Sequence, residues 1–118
     1  MVMYDVSSEA SFKNVRNWVQ SMRECASEDC VLMLVGNKID LCESGGDESR
    51  VVKRKDGEWV AREAGGQCLF FEGSSRRGVN VVEAMEAMAR LLTEREDKQI
   101  EDVLNLNGKV EAKTGCCN

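Results

Sequence analysis

Apolar positions along the chain fall into short solid runs and longer periodic stretches, and the two kinds alternate. "VMYDV" (2–6) is a short apolar run closing on a polar turn, which predicts the tail of a strand. From Ser8, the apolar residues Phe12, Val15, Val19 and Met22 recur at helical spacing, with Ser8 available as N-cap. "CVLMLV" (30–35) is apolar on both alternating faces, as in a strand covered on both sides. A polar loop follows over 43–55, "ESGGDESRVVKRK". Asp56 is then placed to cap a helix through Trp59, Val60 and Ala64 that stops at Gly65–Gly66. "CLFFE" (68–72) predicts a third strand. Asn80 is placed to cap a last helix, with Glu83 three residues on and Val81, Met85, Met88 and Leu92 along one face. The apolar period fades after about Arg95, so residues 1–96 read as the folded part and 97–118 as a flexible tail.

The order strand, helix, strand, helix, strand, helix implies an α/β fold. It would be a partial doubly wound parallel sheet of about three strands, with helices on both faces and right-handed crossovers. Ligands in such folds bind at the carboxyl ends of the strands. Asn37, Lys38 and Asp40 follow the second strand, and "EGSSRR" (72–77) follows the third, so both polar clusters fall on that edge.

Charge and composition narrow the function classes. A net charge of -5 and a pI near 4.8 count against a nucleic-acid partner. No apolar run approaches the roughly 20 residues of a spanning helix, and the start shows no secretory pattern. Cys25, Cys30, Cys42 and Cys68 show no CxxC pairing and read as buried free thiols of a reducing compartment. The chain has no histidine, which removes histidine general bases and most catalytic zinc sites.

The turn after the second strand has a specific chemistry. An ionised Asp is acceptor-only, with two oxygens in one plane. Guanine offers two adjacent donors, its ring N–H and its amino group, which Asp40 could engage together. Adenine would leave the carboxylate facing an acceptor, and a polar match of this kind can discriminate by about 10⁴-fold or more. The Lys38 stem can lie along a base plane. Asn37 can tie the loop to neighbouring backbone, Ser74 can brace the second loop, and the Ser75 N–H can reach the guanine carbonyl.

"GNKID" resembles the N-K-x-D guanine signature of Ras-like small GTPases, and "EGSSR" resembles their E-T-S-A-K loop. "YDVSSEASFKNVRNWVQSM" is similar to the segment preceding N-K-x-D in the Rab branch, and "GCCN" resembles the Rab double-cysteine prenylation signal. The resemblance covers nearly the whole chain in the expected order. It implies GTP or GDP as ligand, with Asn37, Lys38 and Asp40 on guanine and Ser74, Ser75 and Arg76 completing the base pocket. It implies geranylgeranyl groups on Cys116 and Cys117. It further implies a role in membrane traffic, Rab effectors and prenylation escort machinery as partners, and the cytoplasmic side of intracellular membranes with a cytosolic pool as location.

The departures are as informative. Gly73 and Ser75 stand where Rabs usually have Thr and Ala, Arg76 replaces Lys, and the loop holding "CESGGDES" is several residues longer than in typical Rabs. Nothing matches GxxxxGK[ST]. Gly73 and Gly78 have that glycine spacing, but Val79 and Asn80 occupy the positions of the phosphate lysine and the magnesium hydroxyl. The DxxGQ stretch and the switch threonine are missing too. The chain looks like the carboxyl half of a Rab, an incomplete P-loop fold with no catalytic residue of its own and without the family's Mg²⁺ ligands. Hydrolysis by this chain alone is not expected. The alternative function is a non-catalytic, lipid-anchored Rab-like interaction module.

Overall fold

The structure, a computed structural model, describes residues 1–27, 30–45 and 49–115. Three strands, β1 (Val2–Asp5), β2 (Leu32–Asn37) and β3 (Cys68–Glu72), form one parallel sheet in the order β1-β2-β3. Val2 to Asp5 pair with Leu34 to Asn37, and Leu32 to Gly36 pair with Cys68 to Glu72. The elements between them are α1 (Glu9–Cys25), the short α2 (Asp40–Gly45) and α3 (Arg54–Glu63), and α4 (Val81–Gly115) follows β3. The α/β class and the three parallel strands are as the sequence pattern implies.

The solid apolar run of β2 is explained by burial on both faces. Leu32 and Leu34 join Val2, Tyr4, Val15, Val19, Val60 and Ala61 in a core under α1 and α3. Met33 and Val35 point the other way, onto Ala84 with Leu69, Phe71 and Met88 packed around them. Met33 and Leu34 are almost wholly buried, and each such side chain contributes about 1.5–3 kcal/mol of hydrophobic stabilisation.

The helix ends follow local chemistry, with two corrections. Ser8 caps α1, its hydroxyl accepting from the Ser11 N–H at 3.3 Å. Asp56 does not cap α3: the helix starts earlier, Lys53 takes the N-cap position without a side-chain bond, and Asp56 lies in the first turn. There its charge still opposes the helix dipole favourably. Asn80 precedes α4 in the left-handed region (φ 58°) and turns its amide away, donating to the Glu72 carbonyl at 2.7 Å.

Two compact units divide the chain, Met1–Met88 and Ala89–Asn118. In the first, α4 packs through Ala84 and the partly buried Met88, whereas Val81 and Met85 of the expected stripe are 42% and 53% exposed. In the second, the helix continues to Gly115 past the point where the apolar period fades. Residues 94–106 hold no proline or glycine, and their three Glu, two Leu and single Arg, Lys and Gln are residues of high helix propensity. The tail expected over 97–118 is thus helical as far as Gly115. The polar loop expected from residue 43 likewise begins inside α2. Among the described cysteines, all are unpaired; Cys42 and Cys68 are half-buried, but Cys25 and Cys30 are exposed rather than buried.

Candidate functional site

Parallel pairing brings the carboxyl ends of β2 and β3 side by side, and the polar loops meet there. The Gly73 N–H donates to the Gly36 carbonyl at 2.9 Å, and the Ile39 N–H donates back to the Gly73 carbonyl at 3.3 Å. These bonds extend the β2–β3 pairing into the loops that carry Asn37, Lys38, Asp40, Ser74 and Ser75.

Asp40 is 7% exposed, and its Oδ1 accepts the Ser74 hydroxyl at 2.6 Å. The Ser74 hydroxyl in turn accepts the Arg77 N–H at 3.1 Å. The Ser74 bond, helped by the nearby Arg77 and Arg76 charges, holds the Asp40 carboxyl below its ordinary value against the effect of burial. Asp40 is therefore an ionised acceptor at neutral pH, with Oδ1 fixed by Ser74 and no other side-chain donor on it among the described residues. Asn37 joins the same two loops by another route, its Oδ1 accepting from both the N–H and the hydroxyl of Ser75, at 3.0 and 3.2 Å.

Lys38 adopts φ 70°, a left-handed backbone that costs a side-chain-bearing residue about 1 kcal/mol or more. The turn places its ammonium 2.7 Å from the Asp5 carboxylate at the end of β1. Burial pushes the Asp5 carboxyl up, but the bonds from Lys38 and Ser7 outweigh it and hold the group below its ordinary value. The Asp5 bond raises Lys38 correspondingly. Arg76 is exposed beside Ser75, and its neighbour Arg77 pairs with Glu43. Cys116 and Cys117 lie outside the described residues.

The glycine at 73 has a local cause. Ser74 and Val79 bridge in antiparallel fashion, with N–H···O distances of 3.1 and 3.0 Å, and a Cβ on Gly73 would fall against the Val79 carbonyl. The same bridge accounts for the Gly73/Gly78 spacing: Gly78 supplies the positive φ (69°) of the intervening turn. The pair shapes a tight hairpin-like loop.

Sequence spacing did not reveal three participants. Asp5 is the partner of Lys38, and Glu72 and Arg50 form a two-bond pair behind the base loop, at 2.8 and 3.0 Å. The one available signal was Glu72 itself, a charge closing an apolar strand, since a buried carboxylate requires a partner. Among the described residues no three Asp, Glu, Cys or His side chains come together as a metal-ligand cluster.

Three parallel strands, with α1 and α3 on one face and α4 on the other, make this a partial α/β fold of the small-GTPase kind. Comparison with known proteins agrees. The Ras family profile matches residues 1–94. Mouse "Ras-related protein Rab-26" is 42% identical over 98 residues, covering 83% of this chain and 35% of that protein. Mouse "Ras-related protein Rab-37" is 34% identical over 122 residues, covering 100% of this chain and 52% of that protein. The zebrafish "Ras and EF-hand domain-containing protein" is 36% identical over 123 residues, covering 99% of this chain and 18% of that protein. The chain belongs to the Ras family, as a Rab-type small GTPase. It spans between about a fifth and a half of the length of these relatives.

Proposed function

We propose that this chain carries the guanine-recognition half of a GTP-binding Rab protein that acts in membrane traffic. The observation that supports this most is Asp40, an ionised, mostly buried carboxylate fixed by Ser74 at the carboxyl edge of a parallel sheet. The remaining lone pairs of Asp40 suit the paired donors of guanine. The Ser75 N–H is held by Asn37 Oδ1 at 3.0 Å, so it would reach the base carbonyl only by sharing or exchanging that bond. Lys38 would flank the base with its stem, Asn37 would hold the two loops together, and Arg76 would close the pocket's outer side.

In the complete protein, phosphate and Mg²⁺ contacts would come from sequence outside this chain, and the guanine nucleotide would switch binding of effectors. Cys116 and Cys117 would carry the prenyl groups, delivered by the family's escort machinery, that place the protein on the cytoplasmic face of intracellular membranes.

The test compares GMP, AMP and XMP on the 118-residue chain and its Asp40→Asn variant by ¹⁵N-shift titration. GMP should perturb the Asp40 and Ser75 amides at millimolar concentration, AMP should not, and Asp40→Asn should shift preference from GMP to XMP. XMP carries a carbonyl where GMP has its amino group, and an amide can donate to it. Equal responses to GMP and AMP in the wild-type chain would overturn the base assignment.

A further inference from the structure

We infer that Arg50 is a positioning residue for the base loop, acting through Glu72; the inference rests on the guanine reading above. Glu72 is 6% exposed and stands two residues before Ser74. Its Oε1 and Oε2 accept from Arg50 Nη1 and Nη2 at 2.8 and 3.0 Å, a planar fork on a planar carboxylate. Arg50 Nη1 also donates to the Val52 carbonyl at 3.0 Å, so the guanidinium is held by its own segment while it holds Glu72.

That segment is anchored to the other side of the site. The N–H groups of Val51 and Val52 both donate to the Val6 carbonyl, at 3.0 and 2.9 Å, and the Val6 N–H donates to the Asn37 carbonyl at 3.1 Å. A continuous path of bonds therefore leaves Asn37, passes Val6, Val52, Arg50 and Glu72, and returns through Gly73 to Gly36. The two contacts that set the base loop, Asn37 with Ser75 and Asp40 with Ser74, join the same two segments that this ring ties together at Gly36–Asn37 and Glu72–Gly73. Arg50 closes the ring's only charged joint. Without it Glu72 is a buried carboxylate whose remaining basic neighbour, Arg54 Nη1, stands at 3.9 Å. Such a group moves toward water and carries the end of β3 with it.

A lysine cannot replace the fork, because one ammonium makes a point contact where the guanidinium makes two aligned bonds. Arg50→Lys thus separates geometry from charge, and Glu72→Gln removes charge while keeping shape.

The test measures amide hydrogen exchange of the ligand-free chain in wild type, Arg50→Met, Arg50→Lys and Glu72→Gln. Loss of the charge-assisted bonds should speed exchange at Gly73 and Ser75 by about tenfold beyond the change at Leu34 and Phe70. Arg50→Lys should fall between wild type and Arg50→Met. If Arg50→Met does not fold, the same comparison is read from Arg50→Lys and Glu72→Gln. Exchange at Gly73 and Ser75 that rises only in step with Leu34 and Phe70 would overturn the proposal and leave Arg50 a general stabiliser. The GMP-over-AMP preference is then measured on the folded variants and should fall in the same order as the local exchange. A preference unchanged in variants with fast local exchange also overturns the inference. Absence of any preference in the wild type overturns the guanine reading instead, while the exchange data still decide the role of Arg50.

Discussion

The carboxylate of Asp40 and the hydroxyl of Ser74, 34 positions apart in sequence, meet at 2.6 Å. One follows β2 and the other follows β3, so their contact depends on the register that sets Gly36 opposite Glu72. Their bond sets the shape of the site, and it is the largest cause holding the Asp40 carboxyl below its ordinary value.

Ser74→Ala should therefore raise the Asp40 carboxyl toward the ordinary value of 3.8. The sign follows from linkage: a folded-state value below the unfolded one adds stability above the unfolded value, and that increment is lost as pH falls through the folded value. The variant should lack this increment, so its stability should fall less steeply with acid below about pH 4. A ¹³C-carboxyl titration checks the shift, and an unmoved Asp40 would assign its low value to the arginines instead.

Tyr4→Phe should be neutral or stabilising by about 1 kcal/mol. The Tyr4 hydroxyl is buried with no hydrogen-bond partner among the described residues, and the ring packs edge-on to Phe12 at 4.9 Å. Burial also pushes its ionisation upward. Removing the hydroxyl leaves the ring packing in place. Urea unfolding measures the change, and a clear loss of stability would mean the hydroxyl is satisfied in solution.

The free edge of β1 should make the isolated chain associate. Val2 to Tyr4 carry no charge, Met1 and Met3 are about half exposed, and bare apolar edges pair with other chains. Met3→Lys places a charge on that edge without touching the core. The wild-type chain should elute larger with rising concentration and Met3→Lys should not. Concentration-independent monomer in both would show that the edge is protected.

Cys116→Ser combined with Cys117→Ser should turn the full-length protein cytosolic, and either single change should leave partial membrane association. One lipid chain binds marginally and two bind stably. Lys109 and Lys113 are offset by Glu111, so charge adds little attraction. Cell fractionation reads the outcome, and a double variant that still sediments with membranes would point to another anchor.

What could be read from sequence was what short range and burial determine. β3 lies where its apolar run lies, Ser8 caps α1, and the double glycine after α3 takes positive φ at both positions. That Asn37, Asp40, Ser74 and Ser75 would meet at one edge was legible because parallel topology sends both strand ends there. Asp5 and Arg50 were not, because each finds its partner only after folding. The α4 face was misjudged for a related reason: spacing defines an apolar stripe, but the sheet beneath selects which residues it covers, here Ala84 and Met88. The helix beyond Arg95 was missed because the short helical spacing of Ile100, Val103 and Leu104 stands in a largely polar stretch with no core-facing stripe behind it.

The Ser74–Val79 bridge has an outcome for how this loop can change. With the Val79 carbonyl seated where a side chain at 73 would stand, the two positions form a linked pair. A threonine at 73 would need that carbonyl to shift, at the expense of the bridge. The side chain that position 73 can carry is therefore tied to the path the turn takes through 75–79.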